Sequence, residues 1–269
     1  MVFFKKEINR GTPEPSPLSP GAVIDSRDLD IVEIPLEAVA AYWLSIKKVS
    51  GKGGRSLNRA IKQEAEYTTE PFVKYLLEML LSSFSDEEIR RYASFKIKTM
   101  LRELQRRFVL ISIGVLGVAA KENPGQVLIR LMSKFPIPPA SERKIFKGAQ
   151  ESLRLYEEGK SPTVDISHTQ HPEILITNLI FYCMLARRRG ARECSPLSEK
   201  ANSPLFREGI SLIVDGFDRD FIKYRLNLQQ REVLSETEQK MNMSVEMALA
   251  LRRGVSYEDM FKIASSFLI

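Results

Sequence analysis

Two stretches separated by nearly half the chain carry the same punctuation, and that recurrence limits what the chain can become. The later one reads "SPLFREGISLIVDGFDRDFIKYRL", Ser203 to Leu226. Leu205, Phe206, Gly209, Ile210, Leu212 and Ile213 recur there at helical spacing. Ser203 suits the cap of that helix and Pro204 its first turn. Gly216 supplies the left-handed residue at which a helix stops. Asp218 then caps the next helix, Asp220 sits in its first turn, and Phe221, Ile222 and Leu226 are expected on its buried face. A calcium loop needs ligands at alternate positions and a late bidentate Glu, which Asp215, Asp218 and Asp220 lack. They read as helix punctuation.

The earlier stretch is "EPFVKYLLEMLLSSFSDEEIRRY", Glu70 to Tyr92. Pro71 falls under Pro204, Lys74 under Arg207, Leu77 under Ile210, Leu80 under Ile213, Phe84 under Phe217 and Ile89 under Ile222. Ser85 and Glu88 form a capping box where the later copy has Asp218. Leu101 and Glu103 fall under Leu234 and Glu236. With one residue dropped, "LIRLMSKFPI" matches "MFKIASSFLI" at the end of the chain. These matches point to an internal duplication. The expected organisation is a Pro-rich mobile tail over residues 1–26, a first helical unit over 30–137, a linker helix (Ser141 to Glu158) and loop within 138–171, and a second unit over 172–269. No sustained period-two alternation occurs, so the expected fold class is all-α.

Composition narrows the function. The 269 residues carry a formal charge of +6, which permits an anionic partner without requiring one. Two cysteines give no disulfide framework and fit a reducing compartment, hence a cytoplasmic expectation. The N-terminus lacks the apolar core of a signal peptide. The longest apolar run, Phe108 to Ala120, is bounded by Arg107 and Lys121. It is far shorter than the ~20 residues of a spanning helix, so it reads as core.

Candidate chemistry is sparse. His168 and His171 with Cys183 and Cys194 are the nearest approach to a zinc set, but Cys183 sits among apolar residues and reads as structural. Ser141 and Lys144 have the spacing of a nucleophile pair, at a place where Ser is simply a good cap. No glycine-rich phosphate loop follows a strand. No metal or cofactor is expected, and the chain reads as a non-enzyme. Basic clusters are more informative. Lys47, Lys48, Lys52, Arg55 and Arg59 lie in the first copy; Arg187, Arg188, Arg189 and Arg192 lie in the second. Arg90, Arg91, Lys96, Lys98, Arg102, Arg106 and Arg107 form a further run. Such clusters are either a solvated face or a docking surface for an acidic protein, an anionic lipid surface or nucleic acid. Aromatic residues are not interleaved with them, which speaks against nucleic acid.

The second copy resembles the cytoplasmic region of MotA-type flagellar stator subunits. The resemblance rests on "LARRRG" (Leu185 to Gly190), the 14-residue step to Pro204, and "PLFREGISLIVDGFDRDFIKYRL". It covers about residues 174–238, and more faintly 36–107. It implies that a basic residue just before the Gly and an acid shortly after it engage a rotor or stator partner. Arg187 matches the basic position. The acid position falls on Ser195, with Glu193 and Glu199 only nearby. The expected partner surface is therefore Arg187, Arg188 and Arg192 with Glu193 and Glu199, echoed by Lys47, Lys48 and Lys52. The family's four membrane helices have no counterpart here, so ion conduction is not implied; peripheral membrane association stays an alternative. A second resemblance, through "LRRGVSYEDMFKIA" (Leu251 to Ala264), is to the duplicated helical domains of secretion and pilus platform proteins.

Overall fold

Caps write the helix starts in this chain. Glu70, Ser85, Asn123, Ser141, Ser203 and Ser256 each accept a backbone N–H two or three residues on, satisfying a donor that the helix cannot. Asp218 does the same, its carboxylate accepting from Asp220 N and Phe221 N at 3.0 and 2.9 Å. At Ser85 the capping box is closed in both directions, with Glu88 accepting from Ser85 N at 2.8 Å. These bonds hold the Glu88 carboxyl below its usual range.

The computed structural model describes residues 29–50 and 54–268. The segment 1–26, for which the composition predicts a mobile tail, and Lys52 lie outside the described residues. The helices are α1 (Leu36–Ser50), α2 (Gly54–Tyr67), α3 (Pro71–Leu80), α4 (Asp86–Ala119), α5 (Pro124–Met132), α6 (Glu142–Glu157), α7 (Pro172–Arg189), α8 (Ser195–Ser198), α9 (Pro204–Val214), α10 (Arg219–Arg252) and α11 (Tyr257–Ser265). A 3₁₀ turn, Ala191–Cys194, joins α7 to α8. The fold is all-helical, and no strand occurs among the described residues.

Packing divides the chain into two compact units. The first takes residues up to Ser83 together with Met243 onward; the second runs from Phe84 to Asn242. These units cross the expected repeats rather than follow them, because a repeat is a unit of sequence and a packing unit is one of contact.

In the first unit α1 packs on α2 and α11, and α2 on α3. Its centre holds Trp43, Phe72, Val73, Leu76 and Leu77, all removed from solvent. Tyr42 stands edge-on to Trp43 and donates to the Glu64 carboxylate at 2.8 Å.

In the second unit α4 lies against α5, α7 and α9, and α6 against α7. The α6 helix buries Ile145, Ala149 and Leu153, so the segment expected as a linker forms part of this core. The apolar run Phe108 to Ala120 is not a separate helix. It completes α4, whose basic first half and apolar second half form one rod of 34 residues. Small residues let neighbours close in: Gly114 faces Leu179 of α7, and Gly209 faces Val115 of α4. An edge-to-face series, Tyr156–Phe181–Tyr182–Phe206, runs through this core. The irregular segment before α7 is tied down through Asp165. Its carbonyl accepts from Asn178 at 2.7 Å, and its carboxylate accepts from Asn202 N at 2.8 Å.

The buried face of α10 does not include Phe221, contrary to its expected place there. Ile222 and Leu226 are buried, but Phe221 is 37% exposed and stacks on Phe217 at 4.8 Å between ring centroids. Residues 222 and 226 are four apart and share a face; residue 221 is rotated about 100° away from it.

The helix bounds repeat. Helices α4 and α10 both have 34 residues, and α5 and α11 both have nine. The starts of α3, α4 and α5 are Pro71, Asp86 and Pro124, and those of α9, α10 and α11 are Pro204, Arg219 and Tyr257. One constant offset, the step from Pro71 to Pro204, separates each pair. The step between helix starts is the same at α5 and α11.

Candidate docking surfaces

The basic end of α7 arises from a simple local conflict. Arg187, Arg188 and Arg189 occupy its last turn, where the helix dipole favours cations, and Gly190 then turns away at φ 95°. All three arginines are exposed. Arg188 pairs with Glu157 of α6 at 2.9 Å, while Arg187 and Arg192 have no ion-pair partner among the described residues. Glu193 accepts from the Tyr156 hydroxyl at 3.0 Å, and Glu199 accepts from Ser195 Oγ at 3.4 Å. These residues follow one another along the chain, Arg187 and Arg188 in the last turn of α7, Arg192 and Glu193 in the 3₁₀ turn, and Glu199 at the end of α8. Two of them, Arg188 and Glu193, are already held by α6 side chains. Sequence spacing could not disclose that role of Tyr156 and Glu157, because α6 lies more than thirty residues away.

In the first unit, Lys47 is half-buried and Lys48 exposed in the last turn of α1. Among the punctuation residues, Gly216 has φ 84° and a Cβ there would meet nothing within 4 Å, so only the backbone demands glycine. Pro204 opens α9, with Ser203 Oγ accepting from Phe206 N at 3.3 Å.

The reactive-group candidates are buried or engaged by neighbours. Burial pushes the thiols of Cys183 and Cys194 up to about 12, so neither is a thiolate near neutrality. Lys144 directs its ammonium to Glu173 at 2.7 Å, and Ser141 Oγ is engaged as a cap, so the pair is not assembled as nucleophile and base.

A second surface lies in the second unit, between the middles of α4 and α10. A cleft of about 400 Å³ is lined by Lys98, Leu101, Arg102 and Gln105 of α4 and by Arg231, Leu234, Ser235 and Glu238 of α10. Each α10 residue follows one from α4 by the same offset that relates the helix starts. The sequence places Lys98 and Arg102 in a basic run and Leu101 under Leu234, but nothing local reveals that they face a common space.

No described helix is long and apolar enough to cross a membrane. Comparisons with family models, curated proteins and solved structures give no match to the chain.

Proposed function

We propose that this chain is an internally duplicated, non-enzymatic helical interaction protein, akin to the cytoplasmic part of MotA-type stators without their channel helices. It would present charged helix ends to a protein partner in the flagellar motor.

Several features support the duplication. Glu70, Ser85 and Asn123 cap α3, α4 and α5; Ser203, Asp218 and Ser256, at the matching positions of the later copy, cap α9, α10 and α11. Phe84 and Phe217 are both partly exposed, while Ile89 and Ile222 are both buried. Glu103 pairs with Arg107, and Glu236 pairs with Lys240, at the same two positions.

The observation that carries the partner reading is the exposed arginine cluster beside Gly190, with Arg187 and Arg192 unpaired among the described residues. Charges of this kind set encounter rate and salt sensitivity more than final affinity. The test is direct binding of the purified protein to the rotor protein FliG and to the MotA–MotB stator of its own organism. Binding that weakens with salt, and weakens at least tenfold in R187E/R188E/R192E, supports the reading. Absence of binding to both removes the flagellar assignment.

A second reading is favoured by one feature. "LRRGVSYEDMFKIA" folds as the end of α10, a left-handed Gly254 at φ 73°, a Ser256 cap and α11. That is the segment whose sequence resembles secretion and pilus platform domains. Binding to the cognate secretion ATPase in place of motor components would favour it.

A further inference from the structure

We propose that the cleft between the middles of α4 and α10 is a docking groove for an acidic, amphipathic helix of a protein partner. The proposal rests on reading this chain as a binding module. It does not depend on the flagellar assignment or on the Arg187 surface.

The cleft is positively charged. Lys98, Arg102 and Arg231 line the cleft, against a single acid, Glu238. None of these three cations has an ion-pair partner among the described residues. Several cations elsewhere on the same two helices are matched. Arg106 and Arg107 pair with Glu103, Lys240 with Glu236, Arg225 with Glu208, and Arg219 with Glu122. Three cations without an ion pair among the described residues thus line the cavity that these rods share. Such a surface attracts an anionic partner and disfavours a basic one.

Its shape and chemistry suit a helix. Leu101 and Leu234 supply a half-buried apolar floor, and the charged side chains form an exposed rim. An apolar floor with a charged rim is how a helix is received in a groove, its apolar residues anchored below and its acids meeting the rim. Nucleic acid fits less well, since no aromatic side chain lines the cleft to stack a base.

The cleft is also quasi-symmetric. The lining consists of the same four helix positions from both copies: Lys98 with Arg231, Leu101 with Leu234, Arg102 with Ser235, and Gln105 with Glu238. Matched patches of this kind are the hallmark of an isologous association, here within one chain. Both leucines are kept as leucine and one cation is kept as a cation. The other two positions have diverged: Arg102 gives Ser235, and Gln105 gives Glu238. The groove therefore has two unlike sides, as binding one asymmetric segment in one direction requires.

The experiment uses the full chain and a fluorescein-labelled 16-residue peptide with Leu and Glu on opposite helical faces. Its binding is followed by anisotropy at low and moderate salt, beside a scrambled peptide of equal composition and a single-stranded oligonucleotide of equal charge. The expected result is binding of the patterned peptide at least tenfold tighter than either control. K98E/R102E/R231E should lose that binding by tenfold or more, and L101S/L234S should lose the preference over the scramble. All eight lining positions are exposed or half-buried, and the variants are confirmed folded by circular dichroism and melting. R187E/R188E/R192E should bind this peptide unchanged, which separates a failure here from a failure of the motor-partner reading. Equal binding of scramble or oligonucleotide, no binding, or loss of binding only in the Arg187 variant overturns the proposal.

Discussion

Lys121 and Gly254 are separated by the same step that separates Pro71 from Pro204, and both are left-handed, at φ 48° and 73°. Each follows the end of a 34-residue helix. Among the described residues Lys121 alone adopts a positive φ without being glycine. The same turn thus joins α4 to α5 and α10 to α11, with a residue suited to it in one case and a strained one in the other.

That contrast gives a paired prediction. Lys121→Gly should stabilise the protein, and Gly254→Ala should destabilise it, each by about 1 kcal/mol. Nothing lies within 4 Å of a Cβ built on Gly254, so the cost there is backbone strain alone. Urea melts of both variants measure it; shifts of the same sign would contradict the account.

A tighter constraint governs Gly114. A Cβ there would stand 2.6 Å from Leu179 Cδ2 and 3.2 Å from Leu179 Cβ, so α4 and α7 would have to separate or Leu179 leave its rotamer. Gly114→Ala should cost about 1–3 kcal/mol through overpacking. A companion Leu179→Ala change should recover part of that loss in a double-mutant cycle, and simple additivity would show the contact to be unimportant.

Alkaline pH should unfold the protein sooner than its net charge suggests. Burial holds both thiols at about 12 and raises the phenol of Tyr182. Burial, then the Glu64 carboxylate, raises that of Tyr42. A raised folded value means the stability is whole below the unfolded values, ~8.5 for thiols and ~10 for phenols, and falls as pH rises beyond them. Thiol labelling at pH 8 should be slow for both cysteines until denaturant is added. Tyrosinate absorbance above pH 10 should reach its full amplitude only on unfolding.

Cutting the chain between α5 and α6 should not release the two fragments. The second unit draws on both sides of residues 133–141, which contain the irregular stretch before α6. A protease site placed at residues 136–139 and cleaved in the folded protein should leave one particle by native size exclusion, with two fragments seen only in denaturant. Separation under native conditions would contradict the packing.

The all-α class was legible because periodicity and caps are local. Ser203 followed by Pro204, or Ser85 followed by Glu88, says where a helix starts whatever packs on it later. The length of α4 was harder to see. Its basic half and its apolar half resemble two elements until Arg107, which donates to the carbonyls of His168 and Gln170, is seen to be mid-helix. Phe221 was misplaced because an aromatic in a first turn resembles core, and only the pairing with Phe217 takes it to the surface. The cleft was hidden for a different reason. Its lining is contiguous in space, yet Lys98 and Arg231 stand nearly half the chain apart in sequence, a distance no local pattern spans.

The discontinuous first unit has a consequence for synthesis on the ribosome. Residues up to Ser83 are made early, but their complement begins only at Met243, roughly 160 residues later. At ordinary translation speeds of ~5–20 residues per second that is a wait on the order of 10–30 s. During it Trp43, Phe72 and Leu76 have no α11 segment to complete their core, whereas the second unit can close as soon as Asn242 has emerged. The nascent chain thus closes its second unit before its first, and its earliest helices are the ones that depend longest on chaperone protection.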